Sequence, residues 1–183
     1  ASLEAVIDHR PATRAPLQDA HAWHVLIEVV ADRAGAEHLA TLCETMLEQA
    51  FENSLIEDAA IAANDAQAEA FWLIRDSIAP AERARGPAVQ HDISVPVERM
   101  PDFIDAAVSQ LEAAWPGTEA IAFGHLGDGN VHFHVIAPQG TDGALWHEGD
   151  AKAISRQVYD LVAQWQGSIS AEHGIGQLKR EEL

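Results

Sequence analysis

The sequence predicts an α+β fold, an antiparallel sheet with helices on one face, and three features carry that expectation. Short β-branched runs alternate with amphipathic stripes along the chain. Two of the runs, Ala120 to Gly124 and Val131 to Ala137, flank the turn residues Gly127-Asp128-Gly129-Asn130. The order strand, helix, strand, helix, strand, helix, strand, strand, helix then reads as two strand-helix-strand units laid side by side, the ferredoxin-like pattern.

Residues 1–22 carry scattered Ala, Pro, Arg and His without periodicity and read as a loop. His24 to Val30 is a β-branched run of strand length. From Glu37 the residues Leu39, Leu42, Cys43, Met46, Leu47, Ala50 and Phe51 form an amphipathic helical stripe, which places Cys43 in a core rather than at a nucleophile's polar site. Leu55 to Ala62 reads as a second strand, and Ala66 to Ala79 as a helix stopped by Pro80. Residues 80–88 read as a loop too short to divide domains, so one domain is expected. His91 to Pro96 alternates polar and apolar as a third strand. Pro101 suits a helix's first turn, with Ile104, Ala107, Val108, Leu111 and Trp115 as its stripe until Pro116-Gly117. Ile154, Val158, Leu161, Val162 and Trp165 mark the last long helix, followed by a short segment from Gly167 to Ser170. The stripe from Leu39 to Phe51, Trp115 and Trp165 are expected to be buried.

Composition excludes several classes. Eleven Lys and Arg against 29 Asp and Glu leave a net charge of -18, which repels phosphate backbones and anionic membrane faces, so nucleic acid is not an expected partner. The single cysteine rules out an internal disulfide and a Cys-rich metal centre and fits a reducing compartment; a cytoplasmic location is expected. No apolar run approaches the roughly 20 residues that cross a bilayer.

The chemistry gathers in two stretches. In Gly124-His125-Leu126-Gly127-Asp128-Gly129-Asn130-Val131-His132-Phe133-His134, three histidines surround a turn. If 131–137 is extended, His132 and His134 point to one face and Val131, Phe133 and Val135 to the other. The turn can fold His125 back to the histidine face, bringing two or three imidazoles within reach of one divalent metal; zinc, manganese, iron and cobalt all suit imidazole nitrogen. Exposed or hydrogen-bonded strand histidines are the alternative. The second stretch, Ser170-Ala171-Glu172-His173-Gly174-Ile175-Gly176, pairs an acid with a base between small residues. Glu172 can complete a two-histidine, one-carboxylate site, or be a solvated surface acid. His173, with an unperturbed pKa of about 6.5, suits a general base, or is a turn histidine bonded to the backbone.

Together these two motifs resemble the paired signatures of the C-terminal domain of the FAD-linked oxidases, which include D-lactate dehydrogenases, the glycolate oxidase FAD subunit and D-2-hydroxyglutarate dehydrogenase. Phe71-Trp72-Leu73-Ile74-Arg75-Asp76 and His91-Asp92-Ile93-Ser94-Val95-Pro96 resemble the family too, so the likeness covers nearly the whole chain and is nearest the D-2-hydroxyglutarate branch. The resemblance implies a flavoenzyme oxidising a D-2-hydroxy acid to the 2-oxo acid, with a metal, usually zinc in that branch, held by His125, His132 and Glu172. It implies that His173 is the base and that Arg75 clamps the substrate carboxylate; the alternative for Arg75 is a helix arginine paired with Asp76 or Glu82. It also implies that residues 1–183 are a partial C-terminal substrate domain. FAD would be bound mainly by a preceding domain, the usual tail after Gly176 would be cut short, and the fragment alone would be inactive.

Two departures concern substrate. Related dehydrogenases usually carry a lysine where this chain has Gln90 and an asparagine where it has His134, both facing substrate in the family. A mono-acid or a differently shaped diacid is therefore expected. A metal-dependent hydrolase using the same two histidines and glutamate, and a catalytically degenerate metal-binding module, are the rival readings. A small 2-hydroxy acid as substrate, a separate electron acceptor and assembly into a homo-oligomer are all compatible with the sequence.

Overall fold

The structure, a computed structural model, describes residues 2–31 and 38–174. Its contacts divide the chain into two compact units, Pro11–Asp76 and a unit formed by Ala1–Arg10 with Ser77–Leu183.

The second unit holds the sheet. Strands β1 (Ala88–Ser94), β2 (Glu119–His125) and β3 (Asn130–Ile136) lie in the order β1-β3-β2 with antiparallel neighbours. Helix α5 (Met100–Ala114) connects β1 to β2, so β3 occupies the gap in a split β-α-β unit. After β3 come α6 (Gly143–Glu148) and α7 (Asp150–Gln164), and the chain then returns along β1, where Ser168 makes an isolated antiparallel bridge to Ser94. This is the ferredoxin-like pattern once, with its fourth strand reduced to a single bridge.

Alternation in the strands decides what each sheet face does. Ile93, Val131, Phe133 and Val135 face α5 and α7, whose Phe103, Ile104, Leu111, Ile154, Val158 and Val162 complete the core. Phe103 meets Phe133 and Trp165 edge to face at 6.3 and 6.0 Å. Trp115 and Trp165 are partly buried against this core. His91 is polar but buried here: its Nδ1–H donates to the Phe133 carbonyl at 2.9 Å, which leaves Nε2 to accept from the Ser155 hydroxyl at 3.0 Å.

The opposite face carries Gln90 and Asp92 of β1, Asn130, His132 and His134 of β3, and Phe123 and His125 of β2. Helix α4 (Ile78–Arg85) covers its inner part, with α1 (Ser2–His9) packed on α4 and β2. Arg85 anchors the pair of helices, bonding Asp8 at 3.0 Å and, more closely, Glu119.

Several local expectations are corrected. Residues 2–9 are helical, not loop. Pro80 does not stop a helix: the break falls at Ser77, and Pro80 lies in the first turn of α4, where no intrahelical N–H is needed. Residues 80–85, read as loop, are therefore helix.

The Pro11–Asp76 unit contains α2 (Leu39–Glu52) and α3 (Asp65–Asp76), but none of its described residues is buried. The stripe of α2 was expected in a core, yet Leu42 is 57% exposed and Cys43 only half-buried. His24 to Val30 and Leu55 to Ala62, expected as strands, are irregular. A β-branched run forms a strand only where a neighbour supplies hydrogen bonds, and no strand among the described residues pairs with either.

Candidate active site at the hairpin end of the sheet

Strand β2 ends at His125 directly opposite Asn130, the first residue of β3. The connection is a short 3-10 turn, Leu126–Asp128, closed by Gly129 in the left-handed conformation at φ 72°. A side chain on Gly129 would put Cβ 2.1 Å from the Val95 carbonyl oxygen, and one on Gly124 would put it 2.0 Å from that of Asn130. Glycine at both positions lets the hairpin close and lie against the end of β1. Asp128 Oδ1 accepts the Asn130 N–H at 3.1 Å, and Val95 N–H donates to the Gly129 carbonyl at 3.0 Å.

This hairpin presents His125 and His132 on the polar face, with ring centroids 6.1 Å apart. The Glu172 carboxylate lies between them: Oε1 is 2.7 Å from His125 Nδ1, and Oε2 is 3.9 Å from His132 Nε2. The other nitrogen of His132, Nδ1, is 3.8 Å from Asp92 Oδ1, an electrostatic range rather than a hydrogen bond.

Glu172 reaches the histidines because Asp92 holds its backbone. Asp92 Oδ2 accepts the N–H groups of Glu172 at 3.1 Å and His173 at 2.7 Å, while Oδ1 accepts from the Asn130 amide at 2.9 Å. Partial burial alone would raise the Asp92 pKa. The His173 N–H, the Asn130 amide and the charges of His132 and His173 outweigh that and hold it below its ordinary value. Upstream, Ser94 and Ser168 exchange backbone bonds at 2.9 and 2.8 Å, and the Ser170 hydroxyl donates to the His173 carbonyl.

Further along the same face the Phe123 ring lies 5.1 Å from His132 and 5.3 Å from His134. His134, almost fully buried, turns Nδ1 to the buried carboxylate of Glu82 on α4 at 2.5 Å. Gln90, exposed, is the register partner of His134 on β1.

The sequence-derived residues thus fall into two groups. His125, His132 and Glu172 converge, His173 stands beside them with its backbone on Asp92, and His134 and Gln90 continue the face inward. Arg75 lies in the last turn of α3, in the Pro11–Asp76 unit. Among the described residues, the ligand atoms lying within 4.8 Å of one another belong to His125, Asp128 and Glu172, so Asp128 stands nearer that group than His132.

Sequence reasoning missed Asp92 and Glu82. Asp92 was legible as the residue of β1 whose parity matches Gln90. Glu82 was hidden by the reading of 80–88 as loop.

The donor types at the site are ones a divalent ion accepts. Neutral imidazole and carboxylate are the ligands that zinc, manganese, iron and cobalt accept. Ligand atoms about 2.1 Å from a tetrahedral ion stand about 3.4 Å from one another. Glu172 Oε1 is 2.7 Å from His125 and Oε2 is 3.9 Å from His132, while the described residues whose ligand atoms all lie within 4.8 Å of one another are His125, Asp128 and Glu172.

Fold and site together define an α+β domain with an imidazole and carboxylate centre where two strands and a returning loop meet. Its kinship is specific: the family of FAD linked oxidases, C-terminal domain, matches residues 1–183, and the chain belongs to that family. A D-2-hydroxyglutarate dehydrogenase of Xanthomonas citri pv. viticola is 36% identical over 187 residues, covering 100% of this chain and 37% of that protein. The mitochondrial D-2-hydroxyglutarate dehydrogenases of Arabidopsis thaliana and Rattus norvegicus are 30% and 32% identical, covering 100% and 92% of this chain but 31% and 29% of their own lengths. The chain therefore spans about a third of the curated relatives it matches. No helix among the described residues is long and apolar enough to cross a membrane.

Proposed function

We propose that residues 1–183 are the substrate-side domain of a FAD-dependent dehydrogenase that oxidises a D-2-hydroxy acid to the 2-oxo acid. The observation that carries this reading is the Glu172 carboxylate between His125 and His132, in a chain of the FAD-linked oxidase family. The names of its relatives support the substrate class.

His125, His132 and Glu172 would hold a divalent metal, zinc by analogy with the branch it resembles. Such an ion, when bound, supplies Lewis acidity that lowers the pKa of a substrate hydroxyl. What FAD supplies when bound, mainly by segments outside this chain, is an acceptor for the C2 hydride. The remaining work falls to side chains of this chain. His173 takes the hydroxyl proton on an imidazole nitrogen, its backbone fixed by Asp92. Arg75 offers the paired donors of a planar guanidinium to the C1 carboxylate. Gln90 and His134 meet the substrate beyond C2.

The test uses the full-length, flavin-loaded protein with a panel of D- and L-2-hydroxy acids and flavin bleaching as the readout. Bleaching by D-acids alone, with Arg75→Ala lowering kcat/KM for all of them by about 10- to 150-fold, is expected. Metal-dependent hydrolysis with no bleaching by any hydroxy acid overturns the reading.

A further inference from the structure

Glu82 is fully buried, yet only one of its oxygens is used: Oε2 meets His134 Nδ1 at 2.5 Å, and Oε1 has no hydrogen-bond partner among the described residues. A carboxylate taken out of water and half satisfied is costly, and a core position gains nothing from it. The one group it addresses is a histidine on the same sheet face as the candidate site, with its ring 6.3 Å from that of His132.

We propose that Glu82, acting through His134, is a specificity-positioning residue that denies the inner end of the site a net positive charge and so selects 2-hydroxy mono-acids over diacids. This rests on the function proposed above and narrows its substrate class.

Three observations carry it. The first is reach: with C–C bonds near 1.52 Å, the distal carboxylate of a five-carbon diacid lies about 5 Å beyond C2. A diacid whose C2 hydroxyl is held near His132 is therefore long enough to extend its second carboxylate toward His134, one ring spacing of 6.3 Å further in. The second is charge. Carboxylate with imidazolium sums to zero, and carboxylate with neutral imidazole is negative; neither gives a second carboxylate a cation. Gln90 across the strand register adds none. Arg85, one turn along α4 from Glu82, is engaged by Glu119 and Asp8. The third is rigidity: His134 is held on Nδ1 by Glu82 and at its ring edge by Phe123, so it cannot swing to follow a distant anion.

The experiment compares D-lactate with D-2-hydroxyglutarate on the full-length, flavin-loaded protein, as wild type, Glu82→Gln and the double variant Glu82→Gln with His134→Asn. Wild type is expected to favour D-lactate. Glu82→Gln keeps the shape and a hydrogen bond to His134 but removes the anion. It should move the kcat/KM ratio about tenfold toward the diacid, the size of one charged hydrogen bond, through the diacid's KM rather than kcat. The double variant replaces the couple by a neutral amide pair of similar reach. It should shift the ratio the same way, and it tests the charge argument if the single variant does not fold. A wild-type preference for the diacid, or a ratio unchanged in the variants that fold, overturns the proposal while leaving the dehydrogenase reading intact. Bleaching by neither acid overturns the specificity proposal, and the dehydrogenase reading falls with it only if no acid of the wider panel bleaches the flavin.

Discussion

Asp92 accepts the backbone N–H of His173 at 2.7 Å across 81 positions of sequence, so the strand that borders the candidate site also fixes the backbone of the candidate base. The same Oδ2 takes the N–H of Glu172, making one carboxylate the anchor of both. The Asp92 pKa is held below its ordinary 3.8, and the sign follows from linkage. A group with a depressed folded pKa contributes stability that is fully present above its unfolded value and lost as pH falls through the folded one. Carbon-13 titration of the Asp92 carboxyl should therefore give a midpoint below 3.8, with the Glu172 and His173 amide resonances moving in step. Asn130→Ala should raise that midpoint; titration of wild type at or above the ordinary value would remove the anchor.

The composition of the proposed metal set separates two neighbours of Glu172. Asp128 lies close, but its Oδ1 already accepts the Asn130 N–H and shapes the hairpin turn, whereas His132 Nε2 is turned toward the Glu172 carboxylate. Metal analysis of the full-length protein should show His132→Ala losing the ion while keeping flavin and Asp128→Ala retaining it. The reverse pattern would assign the third ligand to Asp128.

Gly124 leaves no room for a side chain against β3. A Cβ there would stand 2.0 Å from the Asn130 carbonyl oxygen, a backbone atom that cannot move aside without breaking the hairpin. Gly124→Ala should cost about 3 kcal/mol or more, the range of backbone clashes at special positions, read as a fall in the denaturation midpoint. A loss under about 1 kcal/mol would mean that the strands part there at little cost.

Phe133 tests the other face. It is fully buried against Phe103, and Phe133→Ala should destabilise by about 3–5 kcal/mol through lost contact and the cavity left behind. Chemical denaturation gives the value, and a loss below about 1 kcal/mol would show that the core relaxes into the gap.

How much of this was legible in the sequence depended on whether a residue's partner was local. Alternation in Val131 to Ala137 and the Gly127 to Asn130 turn placed the histidines on one face correctly, because a strand's period and a turn's chemistry are written in adjacent residues. The stripe of α5 led equally directly to Ile104, Ala107 and Leu111 in the core. Asp92 was overlooked because its partners are the backbone of Glu172 and His173, and a backbone N–H has no sequence signature. Glu82 was overlooked because Pro80 was read as a stop, when a proline in a first helical turn is neutral. In the Pro11–Asp76 unit the patterns of strand and stripe were present, but pattern alone does not supply a neighbour. Val30 is 85% exposed for that reason.

The central position of β3 has a consequence for errors in folding. Its odd residues fill the core against α5 and α7, and its even residues, His132 and His134, stand on the site. A slip of one residue against β1 and β2 would exchange the two sets at once, driving two imidazoles into the apolar layer and Phe133 into water. No one-residue slip of this strand can keep the core while scrambling the chemistry. For this strand, the selection that preserves packing also proofreads the alignment of the histidines.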